Sequence, residues 1–172
     1  MRLMIASDIH GSAYWCEKLL SSFENGGFDQ LLLLGDLLYH GPRNPLPDGH
    51  DPKAVADMLN SVRERLICVR GNCDCEVDQM MLSFPILADY AWVYADGCRL
   101  FATHGHIWNK GSIPPLRQGD FLLNGHFHVP EITPLGDITY INCGSAALPK
   151  NGTAHSYAVF EDGCFGLKTI EG

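Results

Sequence analysis

Short apolar runs in this chain end repeatedly in glycine set beside an acid, an amide or an imidazole, and that punctuation limits the fold more than any other feature. Arg2–Ser7 leads to Asp8-Ile9-His10, Gln30–Leu34 to Gly35-Asp36, and Leu66–Val69 to Gly71-Asn72-Cys73-Asp74. Arg99–Ala102 leads to Thr103-His104-Gly105-His106, and Asp120–Leu123 to Asn124-Gly125-His126-Phe127-His128. Apolar runs this short, bounded by turn residues, suit buried strands. Polar groups just beyond them fall at the carboxyl ends of strands, where open α/β sheets bind ligands. Glycine lets the backbone turn sharply there, so that side chains from separate strands can converge.

The segments between the runs read as helices in the first half. Ser12 is placed to N-cap a helix from about Ala13 to Glu24, which Asn25-Gly26-Gly27 ends. Pro52 opens a second helix through about Arg65, with Ala54, Val55, Met58, Leu59 and Val62 on one stripe. The order β-α-β-α-β predicts parallel strands joined by right-handed crossovers. After a short helix over Glu76–Ser83, the second half is strand-rich: Val93–Ala95, Glu131–Thr133, Thr139–Ile141, Ala154–Glu161 and Cys164–Thr169, with hairpin turns at Asp96-Gly97 and Asp162-Gly163. Leu37–Asp51, rich in Pro and Gly, is the longest stretch without periodicity, and such loops are more often functional than idle.

Composition narrows the classes. At 172 residues, 46% apolar and 19% charged, the chain is expected to form a single globular domain over residues 1–172. Twelve basic against 20 acidic residues give a net charge of −8, which argues against broad nucleic-acid binding. A small phosphate ester remains compatible, because bound cations reverse the charge of a site. Neither a signal peptide nor a membrane span is expected, since no long apolar stretch occurs. Seven cysteines without C-x-x-C spacing read as free thiols of a cytoplasmic protein.

Each strand-end group is weak evidence by itself. A lone D-x-H, a Gly-Asp turn, an Asn in an Asx-turn or an H-x-H pair is ordinary. Together they supply imidazoles, two carboxylates and an amide, a donor set that suits Mn, Fe, Zn or Co better than Mg or Ca. One tetrahedral ion needs four ligands. The surplus points to two ions with an Asp between them.

In these residues the sequence resembles the calcineurin-like metallophosphoesterase superfamily, and within it the small bacterial phosphodiesterases. The signature D-x-H, G-D-x-x-x-x-G, G-N-[H/C]-[D/E], a His before Gly, and G-H-x-H stands here as Asp8-Ile9-His10, Gly35-Asp36 with Gly41, Gly71-Asn72-Cys73-Asp74, His104-Gly105 and Gly125-His126-Phe127-His128. The resemblance implies an α/β (α+β) fold, two mixed β-sheets packed as a sandwich with helices outside. It implies that Asp8, His10 and His128 bind one ion, that Asp36 bridges, and that Asn72, His104 and His126 complete the second site. The cofactors would be two divalent ions, Mn²⁺ by preference. A hydroxide between them would attack a small phosphodiester in line. A phosphomonoesterase is the alternative reading. A non-catalytic scaffold of the same fold is a third, against which the filled ligand positions count.

Asp36, Asn72, Cys73, Asp74 and His106 are the candidate catalytic residues. Cys73 stands where most relatives have a His held by the adjacent acid. A thiol is a poorer donor, which favours diesters with good leaving groups. His106 is placed either to contact substrate phosphate or to satisfy backbone groups. Arg43, in the long loop with His40 and His50, could meet substrate. His155 is expected at the surface, and Trp15, Trp92 and Trp108 in the core or an interface. Two departures from the family pattern stand out. Phe127 replaces a Thr and is expected to point away from the metals. Asn142-Cys143-Gly144-Ser145 has Cys where Pro is usual, which is expected to soften a loop near the site. A homo-oligomer is compatible with the sequence; a membrane partner is not expected.

Overall fold

The computed structural model describes residues 1–171. Two five-stranded sheets face each other. The first contains β1 (Leu3–Ala6), β2 (Gln30–Leu33), β3 (Leu66–Cys68), β9 (Ser156–Glu161) and β10 (Cys164–Thr169), in the order β10-β9-β1-β2-β3. The second contains β4 (Ala91–Ala95), β5 (Cys98–Ala102), β6 (Phe121–Asn124), β7 (Glu131–Leu135) and β8 (Ile138–Asn142), in the order β4-β5-β6-β8-β7. Both are mixed. β1, β2 and β3 are parallel, as are β5, β6 and β8, while β9, β10, β4 and β7 run antiparallel to their neighbours. Both expected hairpins form, at Asp96-Gly97 and Asp162-Gly163.

The alternation of the strands sorts their side chains into layers. Leu3, Ile5, Leu32 and Leu34 meet Leu100, Ala102, Leu123 and Ile141 between the sheets. Met4, Ala6, Leu31 and Leu33 face outward beneath α1 (Ala13–Asn25) and α2 (Pro52–Ser61), which bury Cys16, Leu19, Phe23, Val55 and Leu59. β1 is therefore apolar on both faces, which explains its uninterrupted run. The outer face of the second sheet buries Phe101, Leu122 and Tyr140 under Trp92, Trp108 and Leu116, and the helical cover lies on the first sheet.

Ser12 caps α1 as expected, its hydroxyl accepting from Trp15 N at 3.2 Å. α2 ends at Ser61, short of the expected Arg65. Val62 N turns to Leu59 O at 3.2 Å, and the Ser61 hydroxyl and Arg63 guanidinium donate to the carbonyls of Met58 and Asn60, so the chain tightens into a 3₁₀ turn over Arg63–Arg65. α3 (Glu76–Met81) is likewise shorter than its sequence pattern. The end of the 37–51 loop is pinned to the start of α1, with Ala13 N donating to Gly49 O and Asp51 N to Gly11 O, both at 2.8 Å.

Two expectations change on folding. His155 is half-buried, its ring stacked on Trp15 with centroids 3.5 Å apart, because the loop before β9 folds back over α1. The Asn142-Cys143 junction is tied rather than softened: Cys143 N donates to Asn124 O at 3.0 Å, a bond proline could not make.

Candidate metal centre

The parallel strands of both sheets deliver their following residues to one place. Asp8 and His10 follow β1, Asp36 follows β2, Asn72 follows β3, His104 follows β5, and His126 and His128 follow β6. Five of these seven adopt left-handed backbone: Asp8 (φ 60°), His10 (50°), Asp36 (55°), His126 (63°) and His128 (60°). Such conformations are uncommon for residues with a Cβ and concentrate at functional sites. The adjoining glycines permit the crowding. A Cβ on Gly71 would strike the Asp36 carboxylate, and one on Gly125 would strike Ser7 Oγ and crowd Asp8.

In the first half of the cluster, fully buried Asp8 Oδ1 lies 3.0 Å from His128 Nε2 and 3.3 Å from His10 Nε2, and those nitrogens are 3.4 Å apart. The opposite ring nitrogens face carbonyls: His10 Nδ1 is 2.8 Å from Tyr39 O, and His128 Nδ1 is 2.5 Å from Leu148 O. A carbonyl only accepts, so each Nδ1 carries a hydrogen, and the neutral ring then has its lone pair on Nε2. Three lone-pair atoms then point at one another, and among the described residues Asp8 Oδ1 has no hydrogen-bond donor. Such a convergence of buried acceptors fits a cation, with the carbonyls fixing the tautomer.

The second half repeats the logic. His104 Nδ1 is 2.6 Å from Leu34 O, which turns its Nε2 toward Asn72 Oδ1 at 3.1 Å and His126 Nδ1 at 3.2 Å. His126 thus presents Nδ1 where the other three rings present Nε2. Asp36 stands between the halves, with Oδ2 3.7 Å from His10 Nε2 and 3.5 Å from His104 Nε2. Its other oxygen accepts from Cys73 N at 2.8 Å. The triads Asp8–His10–His128, Asp8–Asp36–His104 and His10–Asp36–Cys73 each bring their ligand atoms within 4.8 Å of one another.

Electrostatics show what the cluster lacks in positive charge. Burial disfavours charge on Asp8, His10, Asp36, His104 and His126, while Asp8 and Asp36 favour the charged forms of His10 and His104. Burial opposes protonation of His104, but Asp8 and Asp36 lift it to about 9. Asp8, which burial alone would raise, is held well below the usual carboxylate range by His104, His10 and His128. His126 is pushed down to about 4 by burial and by His104. The carboxylates therefore draw in either protons or a metal ion, two claimants for one position.

Other sequence candidates take different places. Asp74 does not face the cluster. Its Oδ2 accepts from Asp36 N at 2.8 Å and Gly71 N at 2.7 Å, and its Oδ1 from Leu37 N at 2.9 Å. Burial pushes it up to about 6 despite those donors. Cys73 is half-buried beside Asp36, and burial together with that carboxylate raises its thiol, so it is held neutral. His106 lies outside the candidate triads, its ring centroid 5.5 Å from that of His104 and its Nδ1 buried without a partner among the described residues. Phe127 is exposed and contributes nothing to the triads.

The cluster opens into a cleft of about 450 Å³ lined by Asp36, Asn72, Cys73, His126 and His128 together with Arg43, Asn44 and Lys150. Arg43 therefore reaches the site from the long loop. Lys150 was not legible in the sequence, having no motif around it. Nor was the support given by Ser145, whose hydroxyl donates to Asp8 O at 2.9 Å, or by Asn142, whose amide donates to Gly125 O at 2.6 Å. The Asn-x-Gly-Ser run after β8 was the available signal.

Residues 1–162 match the family described as the calcineurin-like phosphoesterase superfamily domain. Among curated proteins, phosphodiesterase YfcE of Escherichia coli (strain K12) is 48% identical over 162 residues, covering 94% of this chain and 88% of that protein. The solved structure of YfcE, a phosphoesterase from E. coli, aligns with a TM-score of 0.92 at 43% identity over 99% of this chain and 100% of that one. Wild-type Vps29 from Entamoeba histolytica, solved in complex with Zn²⁺, shares the fold at a TM-score of 0.59 and 18% identity, over 98% and 97% of the two chains.

Proposed function

The chain belongs to the calcineurin-like phosphoesterase superfamily, and from that premise we propose that it is a phosphodiesterase working with two divalent cations. The observation that carries the reading is the place of Asp36: one carboxylate oxygen faces His10 on one side and His104 on the other. Asp8, His10 and His128 would hold one ion. Asn72, His104 and His126 would hold the other, with Asp36 shared. Mn²⁺ suits this mixture of imidazole, carboxylate and amide oxygen. Bound there, such ions supply an activated water for in-line attack on phosphorus and neutralise charge on the phosphate oxygens.

The protein's own groups do the positioning. Carbonyls of Leu34, Tyr39 and Leu148 fix three imidazole tautomers. Asp74 holds the backbone of Asp36 and Leu37, and so acts as a positioning residue. Arg43 and Lys150 bring positive charge to the cleft of an otherwise acidic chain, where they favour an anionic ester. Cys73 occupies the cleft wall as a neutral thiol beside Asp36 and is a weak proton donor. That favours diesters whose leaving groups need little protonation over alkyl monoesters.

Among the described residues no helix is long and apolar enough to cross a membrane. All seven cysteines are free, which accords with a reducing, cytoplasmic setting. The reading is tested by stripping the protein with a chelator, reloading it with single metals, and assaying diesters and monoesters alongside elemental analysis. Two ions per chain with diester hydrolysis supports it. An active reloaded protein holding one ion or none refutes the two-cation site.

A further inference from the structure

Phe127 is the one residue of the His126–His128 run that the metal centre does not use. The left-handed backbone of both flanking histidines turns their rings inward and leaves the phenyl ring outward, 40% exposed. It stands edge-on to the His126 ring, with centroids 5.2 Å apart and planes at 75°. A single exposed ring is ordinary on a protein surface; this one differs in bordering the candidate metal cleft.

The surroundings supply a place for one. Phe127 lines two hollows at once: the metal-centre cleft, and a second of about 270 Å³ bounded by Val129, Tyr140, Glu131, Asn142, Asn151 and Lys110. The second has apolar surface on Val129 and Tyr140 and polar edges on Asn151 and Glu131. Lys110 closes it, paired with Glu131 at 2.7 Å and lying 5.7 Å above the Tyr140 ring. Three of the chain's 12 basic side chains, Arg43, Lys150 and Lys110, border these adjoining hollows although the net charge is −8.

We propose that Phe127 is a stacking platform that selects phosphate esters carrying a planar aromatic arm, an aryl group or a nucleobase. The phosphate sits in the metal-centre cleft and the arm lies across the Phe127 ring into the second hollow. The proposal rests on the reading of that cleft as a phosphoester site and deepens it by naming the substrate class. An aromatic face stacks any planar arm with little regard to its polar pattern, so the selection is for aromaticity. Polar edges on Asn151 and Glu131 add discrimination when the arm is a base.

The experiment titrates metal-loaded protein calorimetrically with phenylphosphonate and with methylphosphonate, whose carbon–phosphorus bonds are not hydrolysed by phosphoesterases. Stacking of this kind corresponds to about 5- to 150-fold in affinity. The wild type should therefore bind phenylphosphonate at least about fivefold more tightly. Phe127→Thr should bring the ratio near one, and Phe127→Tyr should keep it, which separates loss of the ring from loss of the fold. Adenosine 5′-monophosphate against ribose 5-phosphate distinguishes the source: a larger ratio than for the phosphonates assigns a nucleobase, an equal one a simple aryl arm. A wild-type ratio near one, or a ratio that survives Phe127→Thr, overturns the platform. Failure of inorganic phosphate and both phosphonates to bind at all overturns instead the reading of the cleft itself, and the platform with it.

Discussion

Asp74 grips Asp36 from behind: a carboxylate oxygen of Asp74 accepts the amide hydrogen of Asp36 at 2.8 Å, while the Asp36 side chain faces the histidines. The same Asp74 oxygen also takes Gly71 N, so it joins the turns after β2 and β3. The residue that brings the two halves of the cluster into register is thus itself outside the cluster.

Asp74→Asn should reveal that role. Its one amide oxygen can keep Asp36 N and Gly71 N, but its NH₂ then faces Leu37 N, leaving a buried donor unpaired. The expected loss is about 1–3 kcal/mol of stability. A loss of about 10–100-fold in metal affinity should accompany it, as for other groups that orient ligands. Denaturant melts and metal titrations check both. Unchanged affinity would reduce Asp74 to a purely structural residue.

Asp36→Asn and His128→Ala should differ in metal content rather than only in rate. Asp36 faces both halves of the cluster, whereas His128 belongs to the Asp8–His10–His128 triad. Elemental analysis after equal reloading should show both ions depleted in the Asp36 variant and one in the His128 variant. Equal depletion would argue against a shared carboxylate.

Stability of chelator-stripped protein should fall as pH rises through about 9. Burial resists charging His104, but Asp8 and Asp36 lift it to about 9, above its usual 6.5. A ring whose folded pKa is raised contributes stability that is complete below 6.5 and lost as pH climbs through the folded value. Thermal melts in EDTA between pH 6.5 and 9.5 should decline, and His104→Ala should flatten the decline. Equal slopes in the two proteins would remove His104 from the linkage.

Cys73→Ala should retain measurable hydrolysis of activated aryl diesters, because a neutral thiol beside Asp36 is a poor nucleophile and a nitrophenolate leaves without a proton. Cys73→His should help most where the leaving group is an alkyl alcohol. The gain should fall short of the roughly 10²–10⁴-fold typical of general acid catalysis, since the wall was shaped for a smaller side chain. Loss of activity on every substrate in Cys73→Ala, with both ions retained, would make the thiol essential.

Much of the site was legible because glycine, acid and imidazole cluster at strand ends, a pattern local in sequence. Asp8, His10, Asp36, Asn72, His104, His126 and His128 all converge. What stayed hidden depends on partners remote along the chain. Lys150 meets Asp36 in one cleft only after the sheets pack, and His155 finds Trp15 only when the loop before β9 crosses α1. Sheet membership was equally opaque. The apolar pattern of β9 marks a strand but does not say that it lies between β10 and β1. The short end of α2 was missed because its apolar stripe continues to Val62 while side chains take over the last-turn carbonyls.

The left-handed backbone at Asp8, His10, Asp36, His126 and His128 restricts which letters this frame can be written in. Asn, Asp and His are the side-chain-bearing residues that enter that conformation most readily. They are also short oxygen or nitrogen donors. A glutamate or cysteine grafted at Asp8 or Asp36 would meet a conformational barrier before any question of coordination arose. The turn geometry and the ligand chemistry therefore filter sequence in the same direction, so redesign of the ion preference has to begin with the loops and only then change the donors.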